Sequence, residues 1–508
     1  MIKNILEYFE NTVKIKSNKI AVVDGDRKIV FAELAGKARS VGSAVFNKSG
    51  KAKKKPIAVF LPKSIESIIA DIGIVYSGNA YMNLDIKTPL ERISNILKLV
   101  EPLFIITDTK YKNMILQIFD AEKILDINDL IVEKAEHQIL LEHLETIIDT
   151  DPLCLINTSG STGTPKSVVL NHRSFIDFTE WALGTMKWND DEIIGSLSPA
   201  VFDIYSFEMC LLMSKASTVV IIPDSWSAFP VKIINLLNEQ KVTYLFWVPT
   251  IMVNIANMGI LDKISMPHIR MIWFAGEVFP TKQFNIWRSH LKDVTFVNMY
   301  GPIEITLDCT YYIVERDISN EEPIPIGYPC RNTDVLLLDE NDNLVIQQDI
   351  EGELCVRGTS LAMGYYNNPE KTKSAFVQNP LNKAYPEIIY RTGDIVYFNE
   401  RKEIIFKWRK DSLIKHSGYR VELTEVEHVI VNTLKLVDNG CAVYDYTKKE
   451  IVFFYESNME QSIAVFRKSI GKALPNYMIP NRFIHIELLP KNTNGKIDRF
   501  KLKEFINA

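Results

Sequence analysis

The run Asn157-Thr158-Ser159-Gly160-Ser161-Thr162-Gly163-Thr164-Pro165-Lys166-Ser167 crowds hydroxyl residues, two glycines and one lysine into a single loop. Glycine lets a backbone approach a ligand closely, and hydroxyls with main-chain N–H groups can ring an anion. A lysine adds a point charge suited to phosphate. Phosphate binding, and with it a nucleotide, is the chemistry these residue types serve. The NTPase pattern G-x-x-x-x-G-K-[ST] does not fit. Pro165 stands where it needs glycine, and the chain runs on into Val168-Val169-Leu170 rather than into a helix. A flexible Ser/Gly surface turn is the plainer alternative.

Leu153-Cys154-Leu155-Ile156 before the loop and Val168-Val169-Leu170 after it predict strand, loop, strand. Upstream of Asp334, helical patterns (64–70, 232–240) alternate with strand patterns (218–222, 244–247, 271–274), and Ala275-Gly276-Glu277 turns the last of these. After Asp334 come short strands and turns, such as 335–339. From Asp411 the pattern is a small α+β unit with helices at 425–434 and 463–474 and a strand at 450–455. The expected fold is α/β. A large N-terminal domain (1–410) of layered α/β subdomains plus a β-rich subdomain precedes a small α+β C-terminal domain (411–508).

With 508 residues the chain is too long for one ordinary core, and its 47% hydrophobic and 24% charged content is that of a globular protein. A net charge of −5 argues against nucleic acid or an anionic membrane as the main partner. No apolar run reaches the ~18 residues a membrane helix needs. Six cysteines without C-x-x-C pairs point to reduced thiols in the cytoplasm, and eight histidines show no zinc spacing.

Several segments, in order, resemble the adenylate-forming enzymes, in particular stand-alone amino-acid adenylation domains of the nonribosomal peptide synthetase and D-alanine–carrier-protein ligase type. The resemblance implies ATP and Mg²⁺ as cofactors. It places Thr158, Ser159, Gly160, Ser161, Thr162, Gly163 and Lys166 on the ATP phosphates and Ala275-Gly276-Glu277 beneath the adenine. In Asn298-Met299-Tyr300-Gly301-Pro302-Ile303-Glu304, Tyr300 would stack on adenine beside Asn298 and Gly301, and Glu304 would hold Mg²⁺. Tyr390-Arg391-Thr392-Gly393-Asp394 resembles the motif whose aspartate, here Asp394, bridges the ribose hydroxyls. In Arg409-Lys410-Asp411, Arg409 would approach the ribose and Asp411 would be the hinge of a mobile C-terminal domain. Asn494-Gly495-Lys496 resembles the motif of the catalytic lysine, which would neutralise charge building on the α-phosphate. Taken singly, each has a plainer reading: Lys496 as an exposed turn lysine, Tyr300 as core, Glu304 as a helix-start acid. The chain departs from the family pattern at Ser167, Ile303, Trp408 and Leu413.

Phe202-Asp203-Ile204-Tyr205-Ser206-Phe207 resembles the segment lining the amino-acid pocket. By that resemblance Asp203 pairs with the substrate α-ammonium; a helix N-cap is its plainer reading. The other pocket positions become Ile204, Phe207, Phe246, Trp273, Ala275, Met299, Leu307 and Asp308. Three large aromatics shrink the cavity, and Asp308 calls for a polar substrate group, so a small polar amino acid is expected, serine first, with alanine or a short diamino acid behind. The implied reaction forms an aminoacyl-AMP with release of pyrophosphate. The aminoacyl group then passes to the phosphopantetheine thiol of a carrier protein supplied as a separate chain. An acyl- or aryl-CoA ligase and a non-catalytic nucleotide binder are the alternatives.

Overall fold

The computed structural model describes residues 2–159, 165–410, 413–437, 439–456, 462–491 and 497–507. The hydroxyl-rich loop joins two antiparallel strands, Pro152–Thr158 and Lys166–Asn171, in a register that sets Thr158 opposite Lys166. They belong to a seven-stranded sheet that continues through the parallel strands Ala80–Asn83, Pro56–Val59, Ile105–Thr107 and Ile124–Asp126. A nine-stranded sheet carries the parallel neighbours Tyr244–Trp247, Met271–Phe274 and Thr295–Tyr300. Both sheets run as apolar segments buried on two faces, as crossover helices require. The helix pattern at 64–70 extends through Ile65–Tyr76, started by a Ser64/Ser67 capping box.

Downstream, a five-stranded sheet holds Thr333–Leu338, Gly352–Gly358 and the long Ile388–Phe398, which pairs with Ile404–Arg409. This is the expected β-rich portion. The small C-terminal unit is built on the three-stranded sheet Asn439–Asp445, Glu450–Glu456 and Arg482–His485. The single helix expected over 425–434 is instead a short α-helix, Leu423–Glu427, that widens into π-helix over His428–Thr433. The helix expected over 463–474 ends at Ile470.

One element matters more for the site than its size suggests. Strands Leu413–His416 and Tyr419–Glu422 form a hairpin with Lys415 opposite Arg420 and Ile414 opposite Val421. Ser417 (φ +54) and Gly418 (φ +83) make its two-residue turn, which needs positive φ at both positions. Ile414 and Val421 pack into the small domain's core with Val426, Phe453 and Met478. Lys415 and Arg420 therefore share the opposite face.

Candidate nucleotide and amino-acid site

Glu304 lies in a short 3₁₀ turn, Ile303–Ile305, just past the strand Thr295–Tyr300, and is fully buried. Its Oε1 accepts from the Tyr365 hydroxyl at 2.8 Å, and its Oε2 pairs with Arg420 of the hairpin at 2.5 Å. Burial alone would push this carboxyl up. The Arg420 charge and hydrogen bond, helped by Tyr365, bring it down to about 2. Lys166 sits 5.7 Å over the Tyr365 ring, and burial lowers its ammonium pKa. Asn157 Nδ2 and Thr158 Oγ1 are buried without a hydrogen-bond partner among the described residues. Such groups suit a ligand that brings its own polar atoms.

A second cluster surrounds Asp394. The Tyr300 hydroxyl donates to Asp394 Oδ2, Arg409 bonds Oδ1 at 2.5 Å, and Arg409 also donates to the Thr392 carbonyl at 2.9 Å. Asn298 donates to the Pro325 carbonyl at 2.7 Å. Glu277 accepts from the Thr250 N–H at 3.0 Å and from the Gly418 N–H at 2.7 Å, which ties the Ala275-Gly276-Glu277 turn to the hairpin. Glycine is required at 301 because a Cβ there would lie 2.3 Å from the Leu307 carbonyl oxygen.

That close approach delivers the third cluster. Asp203 opens the helix Asp203–Lys215, and Phe202 is its N-cap. The aspartate accepts from Ile204 N at 3.0 Å and from Leu307 N, a hundred residues away, also at 3.0 Å. Thr306 (φ +48) and Leu307 (φ +64) hold left-handed backbone that neither residue favours, and the result is to aim that N–H at the carboxylate. Asp308 is buried close enough to Asp203 for the Asp203 charge to oppose its ionisation. Burial, and for Asp308 its neighbour, raises both above the usual range. Beyond them Trp273 stacks on Phe207 at 5.5 Å and meets Phe246 edge-on at the same distance. Ile204, Ala275, Met299 and Leu307 belong to this apolar cluster, and so does the departing Ile303.

Three predicted groups thus converge: Lys166 with Glu304, Tyr300 with Asp394 and Arg409, and Asp203 with Leu307 and Asp308. Gly160, Ser161, Thr162, Gly163, Asp411 and Lys496 lie outside the described residues. Ser159 bonds to the hairpin of the small domain. Its Oγ donates to the Arg420 carbonyl and accepts from Glu422 N, each at 3.0 Å.

The family described as AMP-binding enzyme matches residues 9–366. The chain belongs to that family. It is 29% identical over 506 residues to gramicidin S synthase 1 of Brevibacillus brevis, covering 99% of this chain and 44% of that protein. It is also 29% identical over 510 residues to zwittermicin A synthase ZmaJ of Bacillus cereus, covering 97% and 94%. The chain spans less than half the length of gramicidin S synthase 1, and 11% of gramicidin S synthase 2 of Aneurinibacillus migulanus. Among solved structures, the Vibrio cholerae adenylation domain AlmE in complex with glycyl-adenosine-5'-phosphate is similar with a TM-score of 0.86 at 19% identity, over 100% of this chain and 98% of that one. The o-succinylbenzoate CoA synthetase MenE of Bacillus subtilis has a TM-score of 0.84 at 19% identity, over 99% and 98%. These likenesses carry the fold, a large N-terminal domain followed by a small C-terminal one.

Three residues of this AMP-binding enzyme that touch or face the site were given no role from sequence: Tyr365, Lys415 and Arg420. Arg420 and Lys415 carried a signal, because each interrupts an apolar strand opposite the other across a Ser-Gly turn. Tyr365 carried none. It reaches Glu304 from the two-residue strand Gly364–Tyr365, and nothing local in sequence marks that pairing with Lys166–Asn171. Among the described residues no helix is long and apolar enough to cross a membrane.

Proposed function

We propose that the chain activates a small polar amino acid with ATP. One substrate carboxylate oxygen forms a bond to the α-phosphorus, the bridging P–O bond to the β-phosphate breaks, and pyrophosphate leaves. The observation that carries this reading is Asp203: a half-buried carboxylate, held by two main-chain N–H groups, with the buried Asp308 beside it and an aromatic wall behind. A ligand ammonium is the counter-ion such a site calls for. In this reading the large domain up to 410 binds both substrates. Lys166 grips the β- and γ-phosphates, Tyr300 and Asp394 hold the nucleoside, and Lys496, on a small domain that pivots at Asp411, stabilises the charge of the transition state.

Mg²⁺ fits the residues present. Glu304 is ionised, and among the described residues no group of three or more His, Cys, Asp or Glu could hold a metal alone. Mg²⁺ characteristically takes one or two carboxylates and completes its shell with phosphate oxygens and water. When bound it would offset phosphate charge. The later step transfers the aminoacyl group to a carrier thiol. Sulfur attacks the anhydride carbonyl and AMP leaves. The carrier is read as a separate chain and the setting as cytoplasmic.

The Trp273 wall supports a short side chain and the raised Asp308 a polar one, serine before alanine or a short diamino acid. The test is pyrophosphate exchange into ATP with the twenty amino acids, both enantiomers, and simple acids. Exchange with a small polar amino acid is expected. Exchange with fatty or aryl acids alone would move the assignment to a CoA ligase. No exchange at all would leave a nucleotide binder. Lys496→Ala should depress exchange with the fold intact.

A further inference from the structure

The helix Asp203–Lys215, which begins at the amino-acid site, has no wet face: every residue from Ile204 to Met213 is buried. Such a helix lacks the polar stripe that fixes the rotation of a surface helix about its axis. Its first turns divide by spacing. Asp203, Ile204 and Phe207 share the face toward the pocket, and Tyr205 and Glu208, three apart, lie behind them with Ser206 to one side. Each of the three residues turned away from the pocket meets a buried polar partner. The Tyr205 hydroxyl donates to Asp71 Oδ2 at 2.7 Å, and the same oxygen accepts from Asn83 Nδ2 at 3.0 Å. The Tyr81 hydroxyl donates to Ser206 Oγ at 2.8 Å. Ser196 Oγ donates to Glu208 Oε2, while Lys63 Nζ donates to the Ser196 and Ser198 carbonyls, each at 2.8 Å. Asp71 belongs to the helix Ile65–Tyr76. Tyr81 and Asn83 belong to the strand Ala80–Asn83, where Tyr81 stands opposite Cys154 on the strand that runs to the phosphate loop.

These contacts are a poor way to gain stability. Burial raises both Asp71 and Glu208 to about 7, and Asp71 Oδ1 and Glu208 Oε1 have no hydrogen-bond partner among the described residues. Apolar groups of the same shape would hold the core as well or better. What they lack is direction, which a hydrogen bond supplies. We propose that Asp71 is a positioning residue for amino-acid recognition, fixing through Tyr205 the rotation at which the helix presents Asp203, Ile204 and Phe207 to the substrate. This rests on the reading of Asp203 as the partner of the substrate ammonium. A rotation of about 10° carries an atom at the helix surface by about 1 Å. That is enough to break the 3.0 Å bond from Leu307 N to Asp203 and to move three pocket positions together. Asp71 touches no substrate in this arrangement and acts only through the helix.

The test separates recognition from stability. Tyr205→Phe deletes one hydroxyl, and Asp71→Leu removes its acceptor. In pyrophosphate exchange both should raise the KM for the amino acid at least fivefold and leave the KM for ATP within twofold. Asp71→Asn, which keeps an acceptor oxygen for Tyr205, should hold the amino-acid KM within twofold of the parent. Amide hydrogen exchange without substrate gives a second reading. In Tyr205→Phe the Leu307 N–H should exchange faster relative to the amides of the Met271–Phe274 strand, as Asp203 turns off it. A parental amino-acid KM in Tyr205→Phe would overturn the proposal. So would a rise shared equally with ATP, or an Asp71→Asn protein with the raised KM of Tyr205→Phe. Should Asp71→Leu not fold, Tyr205→Phe and Asp71→Asn decide. Should the parent exchange with no amino acid, the proposed activity falls instead, and the Leu307 amide alone decides the positioning.

Discussion

Arg92, on the helix Leu90–Val100 of the large domain, forms a buried ion pair with Glu425 on the helix Leu423–Glu427 of the small one. Glu425 is completely inaccessible and Arg92 nearly so, so this bond exists only while the two domains touch. Removing one partner of such a pair costs about 3–5 kcal/mol, because a charge is left in a dry environment. Arg92→Met should therefore free the small domain from this position while each domain keeps its own core. Hydrogen exchange should rise along the Leu423–Glu427 helix and stay unchanged in the Glu450–Glu456 strand. Equal exchange along that helix in Arg92→Met and in the parent would remove the pair's role in docking.

Asp203→Asn keeps the shape of the pocket and the Leu307 N–H bond but removes the charge offered to an ammonium. A charge-assisted hydrogen bond contributes about 1.5–3 kcal/mol, so kcat/KM for the amino acid should fall roughly 10- to 150-fold. ATP affinity should hold. If the loss appeared in the KM for ATP instead, Asp203 would belong to the nucleotide side of the site.

Trp273→Ala should admit larger side chains. The indole is fully buried, stacked on Phe207 and edge-on to Phe246, and its Nε1 donates to Met271 Sδ at 2.9 Å. Truncation should cost about 3–5 kcal/mol of stability. The exchange panel should then rank leucine or phenylalanine above serine, whereas Asp308→Ala should flatten the preference for polar substrates. A ranking unmoved by either change would place the pocket elsewhere.

Stability should fall as pH rises from about 4 to about 7, in part because of Asp71. Burial raises this carboxyl from 3.8 to about 7, and Oδ2 accepts from Asn83 at 3.0 Å and Tyr205 at 2.7 Å. The folded chain holds the proton more tightly than the unfolded one. The group's contribution is complete below the unfolded value and is lost as pH rises through the folded one. Asp71→Asn should remove a share on the order of 2–4 kcal/mol of that slope. Urea unfolding across pH 4 to 8 checks it; an unchanged slope would acquit Asp71.

The segments that come together at the candidate site were legible because each motif combines unusual residue types in a fixed order. Lys166, Tyr300, Glu304 and Asp394 each come with glycine or hydroxyl neighbours that a core strand would not carry. What stayed hidden depends on pairing at a distance. The hydroxyl of Tyr365 reaches Glu304 across 61 positions, and Leu307 N reaches Asp203 across 104. No local period encodes either. The π-helical turn at His428–Thr433 was missed because its apolar spacing matches that of an ordinary helix.

The left-handed pair Thr306 and Leu307 joins two functions within five residues, Glu304 on one side and Asp308 on the other. A change that relaxes this turn shifts the N–H on Asp203 and the carboxylate that Arg420 grips at the same time. Redesign of the pocket thus has two zones of different risk. Edits on the sheet, at Phe246 or Trp273, alter the cavity and the core packing around it but leave the turn in place. Edits on the turn alter what is recognised together with how the small domain seats on the site.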